Sequence, residues 1–320
     1  MNMPSISFIV PYHNVETDLL RRSLQSIRAL PLTDWEVWVI DDGSETSEGK
    51  NFIASLDSAR FHYIRQEHKG PGGARNTGMQ KATKEYIQFL DADDYLFPET
   101  YTACLRLIRD KKPDVLLFHA FVTRCVGVEQ EHAVPFQHFV TSGTDYMRTH
   151  NLRSSVWGGI IRREILKGLS FTEHIYHEDE EFTPLFILRA RRLIETTAVA
   201  YAYYRRSDSI MCKQDLFHIR KRFEDAIGVF IRLTAFLDTL EEDCRSALER
   251  RINQLAGDMV YRLLKEAPDE HFMKVYLDKL KQTGRFPLKG CYTVKQMFYR
   301  TIVNLRAGRK ILRHILHKRT

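Results

Sequence analysis

Three carboxylates within four residues form the stretch of this chain best suited to chemistry. Asp91, Asp93 and Asp94 directly follow Tyr86–Leu90, an apolar run that is typical of a buried strand. Clustered carboxylates repel one another, whereas Mg²⁺ and Mn²⁺ take carboxylate oxygens as ligands and bridge them to substrate phosphates. The pattern predicts a metal site facing a diphosphate. The structural alternative is a polar loop whose aspartates cap a helix at Pro98.

Polar or aromatic residues also follow two earlier strand-like runs. They are Pro11 and Tyr12 after residues 5–10, and Asp41 and Asp42 after residues 35–40. A carboxylate at such a strand end accepts hydrogen bonds from a base edge or a ribose hydroxyl. An Asp-Gly turn would explain Asp42 without any ligand, but it leaves Asp41 unexplained.

A glycine-rich segment at residues 70–78, which contains Arg75, leads into a helix. Glycines let backbone N–H groups approach an anion closely, and helix N-termini favour anions. We therefore expect this segment to meet the diphosphate. It is not a Walker loop, because the Gly-Lys-Ser/Thr ending is missing.

Strand-like and helix-like patterns alternate in the first half of the chain. Strand-like runs cover residues 5–10, 35–40, 61–65, 86–90 and 115–121, with helical periodicity between them. This alternation predicts an α/β fold with a mostly parallel sheet flanked by helices. Ligands of such sheets bind beyond the carboxyl ends of the strands, so the polar segments should converge at one edge.

From about Leu216 onward the pattern is helical. Apolar residues recur at spacings of four, three, four and four from Leu248 to Leu263, which places them on one face of a helix. We therefore expect a catalytic domain over residues 1–213 and a helical C-terminal region over residues 214–320.

Four segments of the first half, in this order, resemble the signature of family 2 glycosyltransferases. They are VPYHN at residues 10–14, IDDGS at 40–44, GPGGARNTG at 70–78 and LDADD at 90–94. The resemblance covers about residues 4–210. It implies the Rossmann-like GT-A fold, an inverting mechanism and a nucleoside diphosphate sugar donor, with UDP as the expected nucleotide.

Three later segments resemble the branch of this family that builds bacterial surface polysaccharides. They are residues 157–158, 178–179 and 203–205. The expected acceptor is therefore a hydroxyl of a glycan or a lipid-linked glycan.

The resemblance implies a role for each matched residue. Nucleotide-sugar binding falls to Pro11, Tyr12, Asp41, Asp42, Arg75, Asp91 and Ala92. Asp93 would hold the Mn²⁺ or Mg²⁺ that neutralises the leaving diphosphate. Asp94 would either hold the metal ligands in place without contacting the metal or cap the following helix.

Inversion requires one general base that takes the proton of the acceptor hydroxyl. The resemblance implies Asp179 for this role, with Glu178 and Glu180 as alternatives. The structural alternative is that these acids only suit the dipole at a helix N-terminus.

Aromatic and basic residues complete the expected site. Trp157 and Glu178 are the candidate acceptor-binding residues, since an aromatic face suits a sugar ring, although Trp157 could equally be a core residue. Arg205 and Arg206 resemble a basic pair on a loop that closes over the diphosphate. The alternative is that both arginines are ordinary charged residues of the protein surface.

The net charge of +7 is concentrated in the last part of the chain. Residues 279–320 contain twelve Lys or Arg and no Asp or Glu, which leaves −5 for the preceding 278 residues. Residues 294–318 predict one amphipathic helix with a basic side. Such a helix suits an anionic membrane surface, or it packs on its own domain. We expect no nucleic-acid partner, because no recognition motif accompanies the charge.

Composition sets the expected location. The sequence contains no apolar run of transmembrane length and no signal-peptide pattern at its start. Its five cysteines are scattered, which favours reduced thiols over a disulfide framework or a zinc site. We expect a cytoplasmic protein that is peripheral on the inner face of the plasma membrane.

Two competing functions differ from glycosyl transfer. A nucleotidyltransferase on a related fold usually carries a glycine-rich loop with Arg and Lys after its first strand, where this chain has residues 11–14, PYHN. A catalytically weak, nucleotide-sugar-binding or scaffolding relative would have lost its acids. The intact acids at positions 41, 42, 91, 93 and 179 argue against that.

Overall fold

The chain folds into two compact units. A computed structural model describes residues 3–56, 59–124, 136–206, 215–290 and 292–317. The first unit comprises Met1–Tyr146 with Ser154–Ser209, and the second comprises Met147–Arg153 with Ile210–Thr320.

The segment at residues 147–153 belongs to the second unit, although the sequence placed it in the catalytic domain. The physical reason is a pair of buried arginines. Arg250 donates to the carbonyl of Arg148 at 2.5 Å, and Arg251 donates to that of Leu152 at 2.9 Å. Nothing in the local pattern of residues 147–153 signals these long-range hydrogen bonds.

A nine-stranded mixed sheet forms the centre of the first unit. Its strands are β1 (Ile6–Tyr12), β2 (Trp35–Asp41), β3 (Phe61–Arg65), β4 (Tyr86–Phe89), β5 (Tyr95–Leu96), β6 (Val115–Thr123), β7 (His138–Thr141), β8 (Gly159–Arg162) and β9 (Leu193–Tyr204). The spatial order is β3-β2-β1-β4-β8-β6-β9-β5, with β7 paired to β9.

The sheet is mixed, and the predicted parallel pairing holds for the four N-terminal strands and for the pair β6–β9. The pairs β1–β2, β2–β3, β1–β4 and β6–β9 are parallel, whereas β4–β8, β6–β8, β5–β9 and β7–β9 are antiparallel. Strands β5, β7 and β8 are short and run against their neighbours. A parallel pair needs a long crossover between its strands, and the regular strand–helix alternation that supplies one ends near residue 121.

Helices cover the sheet of the first unit. They are α1 (Thr17–Arg28), α2 (Glu48–Ala54), α3 (Gly70–Lys81), α4 (Pro98–Lys111), α5 (Gly143–Thr149), which runs into the second unit, and α6 (Glu178–Arg189). Short 3₁₀ turns lie at Val156–Gly158 and Arg163–Leu166. The apolar face of α1 is buried through Leu20, Leu24 and Ile27, in agreement with the helical periodicity between the first two strand-like runs.

Five helices build the described part of the second unit. They are α7 (Leu216–Leu237), α8 (Glu242–Glu266), α9 (Glu270–Gln282), α10 (Val294–Asn304) and α11 (Arg306–His317). The predicted apolar stripe from Leu248 to Leu263 is buried along α8. None of the helices in the described ranges has the length and apolar content needed to cross a bilayer.

The prediction of one helix over residues 294–318 is wrong, because the chain breaks at Leu305, which has an extended backbone. Asn304 uses its side chain to bond both the N–H and the carbonyl of Leu288, at 2.8 and 3.1 Å. Arg309 donates to the carbonyl of Val303 at 2.6 Å. These contacts cap the end of α10 and start a new helix, and residue 318 lies outside the described residues.

The glycine-rich helix α3 packs closely on the central strand β1. A Cβ atom at Gly78 would collide with the side chain of Ile9, a fully buried and β-branched residue of β1. A glycine at this position therefore sets the distance between helix and sheet, and with it the position of the start of α3.

Gly78→Ala should lower the free energy of unfolding of the first unit by about 1–2 kcal/mol. Overpacking typically costs roughly 1–3 kcal/mol, which exceeds the roughly 0.5–1 kcal/mol that alanine adds to a helix. All three tryptophans lie in this unit, so urea denaturation followed by fluorescence reports its stability. Gln80→Ala, at an exposed position of the same helix, should stay within about 0.5 kcal/mol of wild type. Equal stability of all three proteins would contradict close packing at Gly78.

Candidate functional site

The carboxyl ends of three parallel strands lie side by side at one edge of the sheet. Tyr12 at the end of β1 is in register with Asp41 at the end of β2. On the other side of β1, Ile9 is in register with Phe89 at the end of β4. The polar segments after these strands therefore converge as the sequence predicted.

Asp41 and Asp42 are buried and hydrogen-bonded within the protein. Asp41 accepts from the Ser44 N–H at 2.8 Å and from the hydroxyl of Tyr63. Asp42 accepts from the side chain of Gln66 at 2.7 Å and from the Lys69 N–H at 2.8 Å. The two carboxylates thus fix the turn after β2 and join it to the start of α3.

Two exposed imidazoles lie directly over this turn. The rings of His13 and His68 contact each other with centroids 4.6 Å apart and their planes tilted by 32°. The Nδ1 atoms of both rings lie within hydrogen-bonding distance of the Asp42 carbonyl oxygen, at 2.9 Å for His13 and 3.0 Å for His68. They offer an accessible aromatic surface beside the buried Tyr12 and Asp42, and no pattern in the sequence singled out His68.

The three acids after β4 have different surroundings. Asp91 pairs with Arg75 at 2.9 Å, and Asp93 pairs with Arg206 at 3.2 Å. Both carboxylates keep about a quarter of their side-chain surface exposed, 26% and 22%. Asp94 has no exposure. The residue before α4 is Phe97, so none of the three acids caps that helix.

Asp94 is an internal anchor of this loop. Its carboxylate accepts from the Tyr201 hydroxyl and from the Tyr204 N–H, both at 2.7 Å. Burial and then the charges of Asp91 and Asp93 raise its pKa well above the usual range. Asp94 therefore ties the acidic loop to β9, which is the supporting role foreseen as one of its two options.

Repulsion among these acids persists despite the arginines. Burial, followed by the charge of Asp91, raises the pKa of Asp93 to about 6, while Arg206 and Arg22 act in the opposite direction. The arginines do not fully offset the repulsion between these two partly exposed carboxylates. Such a pair fits a hard divalent cation that takes its other ligands from water and phosphate. Among the described residues no three His, Cys, Asp or Glu side chains form a complete metal cage.

Arg75 is a buried hub between two loops. It is 5% exposed, and it donates to Asp91 at 2.9 Å and to Glu178 at 2.6 Å. Burial lowers its pKa, but the charges of Asp91 and Glu178 outweigh burial and raise it overall. The guanidinium thus links the loop after β4 to the first residue of α6.

Asp179 lies beside this hub at the start of α6. Burial and the charges of Glu178 and Glu180 raise the pKa of its carboxyl to about 7, against the opposing charges of Arg75 and His177. The side chain is only partly buried. A carboxyl with a pKa near neutrality suits proton transfer at physiological pH.

His177 holds the start of α6 in a strained backbone conformation. It has a φ of 66°, and three residues earlier His174 has a φ of 61°. Such left-handed values are uncommon outside glycine and concentrate at functional sites. The side chain of His177 is buried and lies 3.5 Å from Glu180.

Trp157 stacks on the aromatic residues of β9. Its ring lies 4.4 Å from that of Tyr201 and 5.8 Å from that of Tyr203, nearly parallel to both. Its carbonyl accepts from the side chain of Gln88 at 2.8 Å. Trp157 is half-buried against the core. Its position is therefore compatible with both predictions, that it is a core residue and that it binds the acceptor sugar.

Comparison with known proteins assigns the family. The model for glycosyl transferase family 2 matches residues 7–169, just over half of the chain. The chain belongs to glycosyltransferase family 2. This match includes the turn after β2, helix α3 and the acidic loop after β4.

Relatives of known sequence are also glycosyltransferases. YibD of Escherichia coli K12, an uncharacterized glycosyltransferase, is 27% identical over 219 residues, 64% of this chain and 62% of that protein. EpsH of Bacillus subtilis, a putative glycosyltransferase, is 26% identical over 253 residues, 74% of this chain and 70% of that protein. The chain thus spans less than two thirds of the length of YibD.

A solved structure shows the same fold. TarS 1–349 of S. aureus, in complex with UDP-GlcNAc, aligns with a TM-score of 0.73 at 19% identity, over 96% of this chain and 90% of that chain. The family 2 enzyme described here therefore has the GT-A fold, a mixed sheet flanked by helices and followed by a helical C-terminal region.

Arg22 is a residue of the family 2 site that sequence reasoning missed. It donates to the carbonyl of Asp93 at 2.6 Å, and its guanidinium lies over the rings of Tyr95 and Tyr204, at 4.5 and 5.1 Å. A basic residue within an amphipathic helix gives no sign of such a contact 71 residues away. Only the folded chain shows that α1 supports the acidic loop.

Asp93→Asn should raise the stability of the first unit at pH 7.5, in EDTA, by about 2 kcal/mol. Between its unfolded pKa near 4 and its folded pKa of about 6, the carboxyl binds its proton more tightly when folded. Stability therefore falls as the pH rises through this window, and the full penalty remains above it. Asparagine cannot ionise, so the penalty disappears.

Asp42→Asn is the matched control, because we expect this substitution to lower the free energy of unfolding. The N–H groups of the new amide would face donors that now bond a carboxylate, which should destabilise the unit by about 1–3 kcal/mol. Urea denaturation of the two variants measures both changes. A loss of stability in Asp93→Asn would contradict carboxylate repulsion in the acidic loop.

Proposed function

We propose that this family 2 enzyme is an inverting, metal-dependent glycosyltransferase. It would move a sugar from a UDP-linked donor to a hydroxyl of a glycan or lipid-linked glycan. The observation that carries the proposal is the double ion pair of Arg75, which holds the acidic loop and the start of α6 in one site. Donor activation and proton removal would then occur side by side.

Two named proteins support the donor and acceptor. TarS was solved with UDP-GlcNAc. A Campylobacter jejuni relative, 38% identical over 98 residues that cover 29% of this chain and 31% of that protein, is a GalNAc(5)-diNAcBac-PP-undecaprenol beta-1,3-glucosyltransferase. We extend to this chain only the chemical classes in these names, a UDP-sugar and a lipid-linked glycan.

The donor would occupy the edge formed by the ends of β1, β2 and β4. Pro11, Tyr12, Asp41 and Asp42 would shape the uridine pocket, with the buried carboxylates fixing its walls. The neighbouring rings of His13 and His68 supply an exposed aromatic surface beside it. Ala92, buried between the acids, would keep the loop close to the ribose.

The metal would be Mn²⁺ or Mg²⁺, held by Asp93 with Asp91 beside it. When bound, it supplies positive charge that stabilises the diphosphate as it leaves. Arg75 was expected at the diphosphate, but both of its terminal nitrogens are committed to carboxylates. We assign it a positioning role, as we do Glu178, and Arg206 remains the exposed-side partner of Asp93.

Asp179 would act as the general base. The acceptor hydroxyl gives its proton to this carboxylate while its oxygen bonds the anomeric carbon and the bond to the diphosphate breaks. Attack from the face opposite the leaving group inverts the anomeric centre. Trp157 would offer its half-buried ring to the acceptor sugar.

The C-terminal helices would hold the enzyme peripherally on the inner face of the plasma membrane. Eight of the fifteen exposed large hydrophobic residues in the described ranges lie within residues 292–317, including Phe298 at 62%, Leu305 at 61% and Ile311 at 62%. Residues 292–317 contain no Asp or Glu. Exposed apolar side chains beside an excess of positive charge match the chemistry of an anionic leaflet.

A pair of variants tests the catalytic proposal through two readouts. UDP with Mn²⁺ at 100 times its dissociation constant should stabilise wild type by about 2.7 kcal/mol. Asp179→Asn should keep this thermal shift and lose roughly 10²–10⁴-fold in turnover of a UDP-sugar. Asp93→Asn should lose both the shift and the turnover.

The pH dependence of turnover supplies the control. The base must be ionised, and its pKa is raised to about 7, so turnover should rise with pH, reach half of its maximum near pH 7 and level off about one pH unit higher. Glu180→Gln distinguishes the neighbouring acid. Wild-type turnover in Asp179→Asn, or its loss in Glu180→Gln alone, would move the base away from Asp179.

Sedimentation with lipid vesicles tests the membrane proposal. Vesicles with about 30% anionic lipid should bind wild type, whereas Phe298→Glu should remain in solution because it places a charge in the apolar face. Ile231→Glu is the matched control, since Ile231 is 56% exposed on α7 of the same unit. Equal sedimentation of both variants would contradict docking through α10.

A further inference from the structure

The second unit contains a cleft that the catalytic proposal does not use. Its volume is about 520 Å³, within the range of ligand-binding cavities. One wall is α8, another is α10, and residues 151–152 and 288–290 close the ends. All of its lining residues belong to the second unit.

Aromatic rings and amides line this cleft. Tyr261, Tyr292 and Tyr299 face it together with three carboxamide side chains of the helices, Asn253, Gln254 and Gln296. Tyrosine faces pack on the C–H faces of sugar rings, and carboxamides both donate to and accept from hydroxyl groups. This combination suits a saccharide better than a purely apolar ligand.

The charge of the lining is strongly positive. Arg251, Lys289, Lys295 and Arg300 face the cleft against one carboxylate, Asp258. Among the described residues Lys289, Lys295 and Arg300 form no ion pair. Uncompensated cations around an aromatic cleft favour a ligand that is itself anionic.

Part of the cleft is rigid before any ligand binds. Tyr292 accepts from Asn253 at 3.1 Å and lies under the guanidinium of Arg250 at 4.5 Å. Tyr299 donates to the carbonyl of Gly257 at 3.1 Å. Preorganised rings lose little freedom on binding, which favours affinity.

Helix α10 separates this cleft from the exposed apolar face. With 100° per residue, Gln296, Tyr299 and Arg300 lie on the side of the buried Val303. Phe298 lies on the opposite side. The cleft therefore lies on the side of α10 opposite to Phe298, the residue on which the membrane proposal is tested.

We propose that the cleft binds an anionic segment of the glycan acceptor, a saccharide chain that carries carboxylate or phosphate groups. The choice of a glycan rests on the proposed function, whereas the sign of the charge rests on the lining alone. Binding the growing chain in the C-terminal unit would keep it attached between successive transfers.

Calorimetric titration of the full chain tests this assignment directly, without donor or turnover. The probes are hexagalacturonate, the neutral cellohexaose and a six-nucleotide thymidine oligomer. Hexagalacturonate should bind, with an affinity that falls as salt rises. Cellohexaose should bind at least about tenfold more weakly, since it lacks the charge.

Tyr261→Ala and the double variant Lys289→Ala/Lys295→Ala should each weaken hexagalacturonate binding by roughly tenfold. All three positions are exposed, so the variants should fold. Lys274→Ala, an exposed lysine of α9 outside the cleft, should bind as wild type does.

Three results would overturn the proposal: no binding of hexagalacturonate, equal loss in Lys274→Ala, or tighter binding of the thymidine oligomer. A parallel titration with UDP and Mn²⁺ separates this failure from that of the catalytic proposal. UDP binding without hexagalacturonate binding rejects the cleft alone, and the reverse rejects the donor site alone.

Discussion

The geometry of the proposed catalytic site depends on one buried guanidinium. Arg75 joins Asp91 to Glu178, which are 87 positions apart in the sequence, with nitrogen–oxygen distances of 2.9 and 2.6 Å. Removing one member of such a buried network leaves an uncompensated charge and costs roughly 3–5 kcal/mol. The glycines before Arg75 make the contact possible, because a Cβ atom at Gly72 would lie 2.9 Å from the Thr172 carbonyl and 3.3 Å from Glu178.

Around this hub the protein retains charges that burial disfavours. The pKa values of Asp93 and Asp179 are raised to about 6 and about 7, each first by burial and then by neighbouring acids. A fold selected for stability alone would replace these groups. Asp93 follows the end of β4, and Asp179 lies at the strained start of α6. Buried charges at such positions are expected where a protein has lower folding stability in exchange for a reactive site.

The sequence was sufficient for the acidic loop and the parallel strands, because both arise from local patterns: an apolar run, then a polar turn. The sequence did not indicate which residues contact one another between distant segments. Arg75 was expected to contact an anion of the substrate, and it contacts carboxylates of the protein instead. Arg22 and Tyr201 gave no signal, since their contacts with residues 91–94 span 71 to 110 positions. Buried polar contacts between distant segments follow from the tertiary fold alone.

The break at Leu305 shows how a local backbone change divides one amphipathic pattern into two surfaces. In a continuous helix Phe298 and Leu312 would share one apolar stripe. In the folded unit Leu312 is half-buried, Arg313 donates to the carbonyl of Ala267 at 2.9 Å, and α11 packs on α8. Helix α10 is therefore free to expose Phe298 on one side while its other side builds the cationic cleft. The basic segment that the sequence suggested as one amphipathic helix thus provides two chemically different faces, one exposed and apolar and the other lining the cationic cleft.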